Sequence, residues 1–483
     1  MKNKYSYVTL LLLFAQTYVL AQQVVIKGNA KSYAGDILKW KCYEDQVTFT
    51  EKELGKCKVL ESGDFEFKFQ IPETSLSFIY LNVFKGILYI EPGKEYEIVL
   101  PKKVNKLPED ELNPFFEETE FYIRIINAKE GELNQEIKDF NRLYDSYLSK
   151  YFQQFKGKLN KSIADSIINA IEKELPNKDN HFFKNYKTYN YASLRLVAYE
   201  RNKEKLIGKY FHNKPVLYQN PAYMDMFNQL FSNYLSYFSK TRKGKRVPYY
   251  LVRLKSLEKI KSAMDSIEVL ANDTLQEMII SKSLYDNFYK DDFPRESIIY
   301  VMDSLKIDGS TLENRTIAQN IMNKITTLLL DYTAPDFELP DGNNNLNSLS
   351  NYRNKFIYLN FINPKSYTCQ QELEVLKEMY AKKYEMLEFV SICVCENIDE
   401  MNKFTEENGY SWPFLFYNHD KELLKKYNVK VYPTYYLINP ESKLAMSPSF
   451  PPTEPSFEAR YFDILKAWKQ EILNRKSKGK NTN

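Results

Sequence analysis

The stretch FIYLNFINPKSYTC, residues 356–369, decides the fold of the last third of the chain. It begins with the continuous apolar run Phe356–Ile362, which is typical of a strand buried on both faces of a parallel sheet. Turn residues follow, and a helical stretch extends from about Ser366 to Tyr384. A second apolar run, Leu387–Val394, comes next. Strand, helix and strand joined by short connections predict a right-handed parallel crossover.

The elements after this crossover complete an α/β domain. The pattern predicts a helix in ELLKKYNV, a strand in YPTYYLINP and a closing helix over Phe457–Leu473. A polar, turn-rich segment enters the domain at Asp331. We therefore predict an α/β domain over residues 331–475 and a disordered tail over residues 476–483.

The segment 22–101 alternates apolar and polar residues, which means that one face of each strand is buried. The alternating residues are Phe65, Phe67, Phe69 and Ile71 in one strand and Tyr96, Ile98 and Leu100 in another. Turn signals at Ser62-Gly63-Asp64 and Pro92-Gly93 punctuate the segment. We predict a small antiparallel all-β sandwich.

Two cysteines fall in this β segment, Cys42 and Cys57. A disulfide between them would close a loop of about 15 residues and contribute roughly 3 kcal/mol in the chain-entropy model. Two unpaired thiols are an equally good interpretation.

Apolar residues recur at helical spacing in the segment 102–330, which predicts an all-α region. The clearest stripes are Ile163, Ile167, Ile171 and Leu175, and Leu257, Ile260, Met264 and Ile267. This region contains no zinc-ligand cluster, phosphate-binding glycine loop or Gly-x-Ser-x-Gly elbow in its sequence, and neither does the rest of the chain. We predict no metal and no cofactor.

The first residues predict export. Lys2 and Lys4 form a basic start, Val8–Leu20 is apolar, and Ala21 is small enough for cleavage, so residues 1–21 have the features of a secretory signal peptide. No later stretch reaches the roughly 18 apolar residues needed to span a bilayer. The expected location is the periplasm or cell envelope of a Gram-negative bacterium, with a soluble mature protein.

Lys plus Arg (67) nearly balance Asp plus Glu (63), which argues against nucleic acid or an anionic membrane as partner.

The last domain resembles the thioredoxin fold, and within it the exported thiol-disulfide oxidoreductases and their peroxiredoxin relatives. The resemblance is carried, in order, by APDF at 334–337, FIYLNF, NPKSYTC, LEFVSICV and YNVKVYPTYYLINPESK at 427–443. It covers the last third of the chain. The order of signal peptide, β domain, helical region and thioredoxin-like domain also resembles multidomain proteins common in Bacteroidetes-type bacteria.

The resemblance implies a Cys-x-x-Cys pair at the start of the first helix of the domain. The two positions hold Ser366 and Cys369. In the family the first thiol attacks as a thiolate, and a serine hydroxyl, hardly ionised near neutral pH, cannot replace it. Ser366 can instead cap the helix. Cys369 is either a single reactive thiol or a buried, inert one.

Tyr432-Pro433-Thr434 matches the family's proline loop, whose peptide bond is cis and whose backbone pairs with an extended substrate segment. The resemblance implies that this docking surface is retained, with Tyr367 and Tyr432 beside it. Plain surface tyrosines are the alternative.

Cys393 and Cys395 alternate on a strand and point to one side. Both are expected to be buried, and the sharper hypothesis pairs Cys395 with Cys369 in place of the missing thiol.

Two functions follow. The leading hypothesis is an exported, thioredoxin-fold binding module for a peptide or protein partner, with a degenerate Ser-x-x-Cys motif. The alternative is a single-thiol oxidoreductase that uses Cys369, with or without Cys395, in envelope redox homeostasis. A structural envelope protein is a third class. The sequence identifies neither the partner nor the oligomeric state.

Overall fold

The computed structural model describes residues 21–480 except for 108–109, 111–112, 114, 155–158, 176–178 and 199–202. The predicted signal peptide therefore lies outside the described residues up to residue 20, and the end of the predicted tail lies outside them from residue 481. The chain divides into two compact units. Of the described residues, those up to 105 and those within 118–318 form one unit, and those within 106–117 and from 319 onward form the other. The domain boundaries drawn from the sequence stay predictions.

The first part of unit one is a β-sandwich, as the alternation predicts. Its strands are β1 (Gln22–Asn29), β2 (Ile37–Asp45), β3 (Thr50–Lys58), β4 (Asp64–Ile71), β5 (Ser75–Leu81), β6 (Phe84–Ile90), β7 (Glu95–Val99), β8 (Thr119–Tyr122) and β9 (Arg124–Ile125). One sheet has the order β4-β1-β7-β9 and the other has the order β3-β2-β5-β6-β8. Phe65, Phe67 and Phe69 are buried on alternate positions of β4, and they pack in a core around Trp40.

The sandwich is mixed and not purely antiparallel. Strand β7 pairs with β1 in parallel, and β8 pairs with β6 in parallel. Both pairings join strands far apart in sequence, so the alternation of residues, which reports only the buried face, does not reveal them.

Cys42 and Cys57 are both free thiols. On the paired strands β2 and β3, Cys57 lies opposite Leu38, and Cys42 lies opposite Lys52. Leu38 and Cys42 are four positions apart on β2, a distance of about 13 Å along an extended strand. A disulfide requires a Cα separation below about 7 Å, so this register keeps the two sulfurs apart.

The rest of unit one is helical. Its helices are α1 (Leu133–Gln154), α2 (Lys161–Glu174), α3 (His181–Ala198), α4 (Lys203–Tyr210), α5 (Pro221–Leu230), α6 (Tyr234–Ser239), α7 (Val247–Tyr249), α8 (Leu257–Met264), α9 (Asp273–Asn287), α10 (Arg295–Asp308) and α11 (Leu312–Thr326), the last of which continues into unit two. Ile163, Ile167 and Ile171 form the buried face of α2, which Asn160 caps by accepting the backbone N–H of Ile163. Among the residues that the structure describes, no helix combines the length and the apolar character needed to cross a membrane.

The second unit contains an α/β domain. Its elements are β10 (Glu338–Pro340), β11 (Leu346–Ser348), β12 (Phe356–Ile362), α12 (Tyr367–Ala381), β13 (Leu387–Cys393), α13 (Ile398–Asn408), β14 (Phe414–Phe416), α14 (Lys421–Lys426), β15 (Thr434–Ile438), β16 (Leu444–Met446) and α15 (Ser456–Lys480). The predicted multidomain class is confirmed: a β-rich region, a helical region and a C-terminal α/β thioredoxin-like domain.

The five-stranded sheet of this domain has the order β14-β13-β12-β15-β16. Strand β12 is parallel to β13 and antiparallel to β15, and all seven of its residues are buried. The predicted crossover from β12 through α12 to β13 is therefore present. Because β12 is held on both sides, the point where it ends also determines where α12 begins.

Candidate functional site

Ser366 occupies the position just before the first residue of α12. Its backbone is extended, with φ −83° and ψ 118°, and its Oγ accepts the backbone N–H of Cys369 at 3.4 Å. The preceding loop is tied to the helix, because the Gln370 side chain donates to the carbonyl oxygen of Pro364 at 2.8 Å. The serine side chain is therefore engaged as a helix cap, which satisfies one of the free N–H groups of the first turn.

Cys369 is the third residue of α12, within its first turn, and is fully buried, with an exposed fraction of 0%. Its Sγ accepts the backbone N–H of Asn363 at 3.5 Å. Burial raises the pKa of the Cys369 thiol above its ordinary value, and the charge of Glu372 adds to that rise. The contacts with Asn363 and Ser366 lower the pKa, but burial is the larger effect. The thiolate form is therefore disfavoured at neutral pH.

The loop Tyr432-Pro433-Thr434 leads into β15, and all three residues are half-buried. The Tyr432–Pro433 peptide bond is cis. Tyr432 interacts electrostatically with Cys369, and burial, followed by that interaction, raises the pKa of the Tyr432 hydroxyl to about 12. Tyr432 and Cys369 therefore lie in the same region of the fold. Tyr367, at the start of α12, is 71% exposed.

Two further residues belong to this region, Glu372 and Tyr435, and the sequence interpretation omitted both. Glu372 lies one turn after Cys369 on α12, and the Thr453 hydroxyl donates to its carboxylate at 2.7 Å. Burial, followed by the Glu372 charge, raises the pKa of Tyr435, and the charge of Cys369 acts in the same direction. The i, i+3 spacing from Cys369 is a signal that could have identified Glu372. Tyr435, on β15, comes close to Glu372 and Cys369 only because the sheet packs against α12.

Cys393 and Cys395 are buried at the carboxyl end of β13, with exposed fractions of 0% and 2%. Their sulfur atoms lie 3.4 Å apart, with the Cys393 thiol donating. Cys395 also donates to the carbonyl oxygen of Asn397 at 3.3 Å. The hydrogen-bonding sulfur partner of Cys395 is thus Cys393. The pairing of Cys395 with Cys369 stays a prediction. The hydrogen bond to Cys395 and then burial raise the pKa of Cys393, and Cys369 is close enough to contribute to that rise.

The arrangement contains thiols, hydroxyls and one carboxylate. Across the described part of the chain, no group of three or more His, Cys, Asp or Glu side chains is arranged to hold a metal ion.

Comparisons with known proteins match the C-terminal part of the chain. The AhpC/TSA family matches residues 330–447. The thiol-disulfide oxidoreductase ResA of Geobacillus kaustophilus is 33% identical over 125 residues, which are 26% of this chain and 71% of that protein. ResA of Geobacillus thermodenitrificans is 30% identical over 130 residues, covering 27% of this chain and 74% of that protein. The thioredoxin domain of a thiol-disulfide oxidoreductase from Bacteroides vulgatus aligns in structure with a TM-score of 0.24 and 21% identity, covering 26% of this chain and 90% of that one.

The chain belongs to the AhpC/TSA family of thioredoxin-like proteins, among the ResA-like thiol-disulfide oxidoreductases. The membership rests on the C-terminal unit, because the matched family region begins at residue 330. It confirms the resemblance inferred from the sequence motifs. For a protein of this oxidoreductase family, the decisive chemical quantity is the amount of thiolate at the start of α12. Ser366 and Cys369 occupy that helix start, so their substitution and labelling test the site directly.

Replacing Ser366 with Ala should destabilise the thioredoxin-like domain by about 1 kcal/mol, because one N–H of the first turn of α12 loses its acceptor. Ser366→Asp is the matched control, since an aspartate caps as well as a serine and should retain most of that stability. Urea unfolding monitored by tryptophan fluorescence measures both variants. Equal losses in the two variants, or no loss in the alanine variant, would contradict the capping role.

Alkylation of Cys369 in the native protein at pH 7 should be roughly tenfold or more slower than in the urea-unfolded chain, because burial raises the pKa and shields the sulfur. The native rate should rise with pH and should still be rising above the ordinary thiol pKa of about 8.5. Mass spectrometry of the tryptic peptide Ser366–Lys377 isolates this cysteine. Labelling at pH 7 that is faster in the native chain than in the unfolded chain would show an activated thiolate.

Proposed function

We propose that this protein is an exported thioredoxin-fold binding module, derived from thiol-disulfide oxidoreductases, that holds a peptide or protein segment and does not turn over disulfides as a dithiol enzyme. In this proposal Ser366-x-x-Cys369 is a degenerate form of the family's Cys-x-x-Cys motif. No nucleic acid and no cofactor take part.

The observation that carries the proposal is the engagement of Ser366 as a helix cap, with its Oγ 3.4 Å from the Cys369 nitrogen. Disulfide exchange begins with attack by a thiolate at this position in the family. A hydroxyl that is hardly ionised near neutral pH and that accepts a backbone N–H is not such a nucleophile. Cys369 is fully buried and its thiol pKa is raised, which leaves little thiolate to act instead.

The docking role is supported by exposed side chains at the start of α12 and next to the proline loop. Tyr367 and Val431 are large apolar side chains with exposed fractions of 71% and 66%. Val431 directly precedes the Tyr432–Pro433 bond, and Thr434 begins β15. Exposed aromatic and aliphatic residues beside an accessible strand start suit an extended peptide, which can pair through its backbone while its side chains contact the apolar surface.

Export is part of the proposal and rests on the sequence of residues 1–21, with its basic start and apolar stretch. The periplasm or cell envelope is the compartment that we propose. The signal residues up to residue 20 lie outside the described part of the structure.

A second candidate function keeps Cys369 as a single reactive thiol. The observation that favours it is the backbone N–H of Asn363, which points at the Cys369 sulfur from 3.5 Å and lowers the pKa of the thiol. A hydrogen bond to sulfur stabilises a thiolate. This effect opposes burial, and burial is the larger of the two.

Wild-type protein should not accelerate the reduction of insulin by dithiothreitol above background, whereas Ser366→Cys should, because the variant restores a thiol at the helix N-terminus. Turbidity of precipitating insulin chains measures the rate. Ser366→Ala is the matched control and should be inactive. Wild-type turnover equal to that of Ser366→Cys would exclude the binding-module proposal and favour the single-thiol alternative.

The docking surface should bind an extended polypeptide without thiol chemistry. The probe is carboxymethylated insulin B chain, whose blocked thiols cannot exchange, and fluorescence anisotropy measures its dissociation constant. Tyr367→Ala should weaken binding about fivefold, equivalent to ~1 kcal/mol. Tyr289→Ala removes a tyrosine with a similar exposed fraction, 68%, in the other unit and should leave binding unchanged. An equal change of the dissociation constant in Tyr367→Ala and Tyr289→Ala would show that the peptide does not bind at the surface around Tyr367.

A further inference from the structure

We propose that Cys393 and Cys395 form a reversible disulfide, a redox couple separate from the Ser366 and Cys369 positions. The two sulfurs lie 3.4 Å apart, in direct contact, at the carboxyl end of β13. Both are free thiols in this structure. The inference does not depend on the proposed binding function, because it concerns a different pair of residues and a different reaction.

The local backbone explains why the two sulfurs meet. On a regular strand, side chains two residues apart point to the same face but are separated by nearly 7 Å along the strand. Strand β13 ends at Cys393, and the chain bends at Cys395. The Val394 N–H still donates to the carbonyl oxygen of Ile362 at 2.8 Å, which holds the middle residue against β12. The bend therefore turns Cys395 back toward Cys393.

Disulfide formation requires only a small further movement. The bond length is about 2.05 Å, so the sulfurs must approach by a little more than 1 Å, which rotation about the Cα–Cβ bonds can supply. The Cys395 sulfur also contacts the carbonyl oxygen of Asn397, the residue that caps α13. This contact holds Cys395 close to the end of β13.

The reaction balances with a low-molecular-weight disulfide as oxidant. One of the two protein thiols loses a proton to solvent and attacks the small disulfide, whose S–S bond breaks to release one small thiol and leave a mixed disulfide. The second protein thiol, after losing its proton, attacks the mixed disulfide and releases the second small thiol. Two electrons pass from the protein sulfurs to the small disulfide, which is reduced to two thiols. The protein disulfide is reduced by the reverse sequence.

Burial of both sulfurs limits which reagents can react with this couple and how fast they react. With exposed fractions of 0% and 2%, the sulfurs exclude a folded protein substrate and admit only a small reagent or a locally opened chain. Exchange is therefore slow, and the couple responds to the redox poise of the compartment without catalysing rapid turnover. Glu396, the residue after Cys395, forms an ion pair at 2.6 Å with Lys365, the residue before Ser366. The couple thus lies beside the loop that begins α12.

Redox equilibration followed by peptide mapping tests this proposal. The full chain is held in buffers with an increasing share of oxidised glutathione, quenched with acid, alkylated in denaturant and digested with trypsin. Cys393 and Cys395 lie together in the tryptic peptide Tyr384–Lys403, and Cys369 lies in Ser366–Lys377. A duplicate series is unfolded in urea and refolded in the same buffers, so that slow access cannot conceal the equilibrium.

We expect the peptide Tyr384–Lys403 to lose the mass of two hydrogen atoms and to resist alkylation in the oxidising buffers, and to accept two alkyl groups again after dithiothreitol. Cys395→Ala should never show the intrapeptide bond, because Cys393 alone can only be alkylated or carry one glutathione that no second thiol releases. Cys57→Ser should leave the conversion unchanged. Full alkylation of both cysteines in the most oxidising buffer of both series would overturn the proposal. A cross-link to the Cys369 peptide, or glutathione adducts without the intrapeptide bond, would overturn it as well.

Discussion

The free N–H groups at the first turn of α12 are the constraint on which the site depends. Helix α12 begins at Tyr367, shortly after the buried strand β12 ends at Ile362. The N–H groups of its first turn need acceptors from side chains or water, and Ser366 accepts one of them. The position of the helix start is determined in turn by β12, whose seven residues are buried and paired on both sides. The packing of the central strand therefore determines which residue becomes the cap and which residue, three positions later, enters the core.

That entry into the core explains the chemistry of Cys369. A thiol near a helix N-terminus gains from the positive end of the helix dipole and from nearby N–H donors, both of which favour a thiolate. Burial acts against them, since the charged form loses its hydration. Here burial is the larger effect, and the pKa of the Cys369 thiol is raised in spite of the N–H of Asn363. At Cys369 the helix dipole favours the thiolate form, whereas the loss of hydration on burial disfavours it more strongly.

The sequence predicts this domain well where the information is local. The run Phe356–Ile362 predicts a strand buried on both faces, and the serine before a helical stretch predicts a cap, because each depends on a few adjacent residues. The contact between Cys393 and Cys395 depends on where β13 ends, which is decided by pairing with β12 and β14. The parallel pairs of the sandwich likewise join distant strands. Tyr435 reaches Glu372 only through packing, so no spacing in the sequence indicates it.

A serine and a cysteine at position 366 would use the same helix end in different ways. A serine cap is neutral, so its contribution of about 1 kcal/mol to stability does not vary with pH in the physiological range. A thiolate would gain from the same N–H groups only while ionised, and that gain is what lowers the pKa of a catalytic thiol in proteins of this kind. Ser366 caps the helix. Under the binding-module proposal, it keeps this stabilising role and does not supply the thiolate that would drive disulfide exchange. Strand β12, the capped start of α12 and the cis Tyr432–Pro433 bond are all present with a serine at position 366. The thioredoxin-like framework around the proline loop therefore depends on an acceptor for the helix N–H groups and does not require that this acceptor be sulfur.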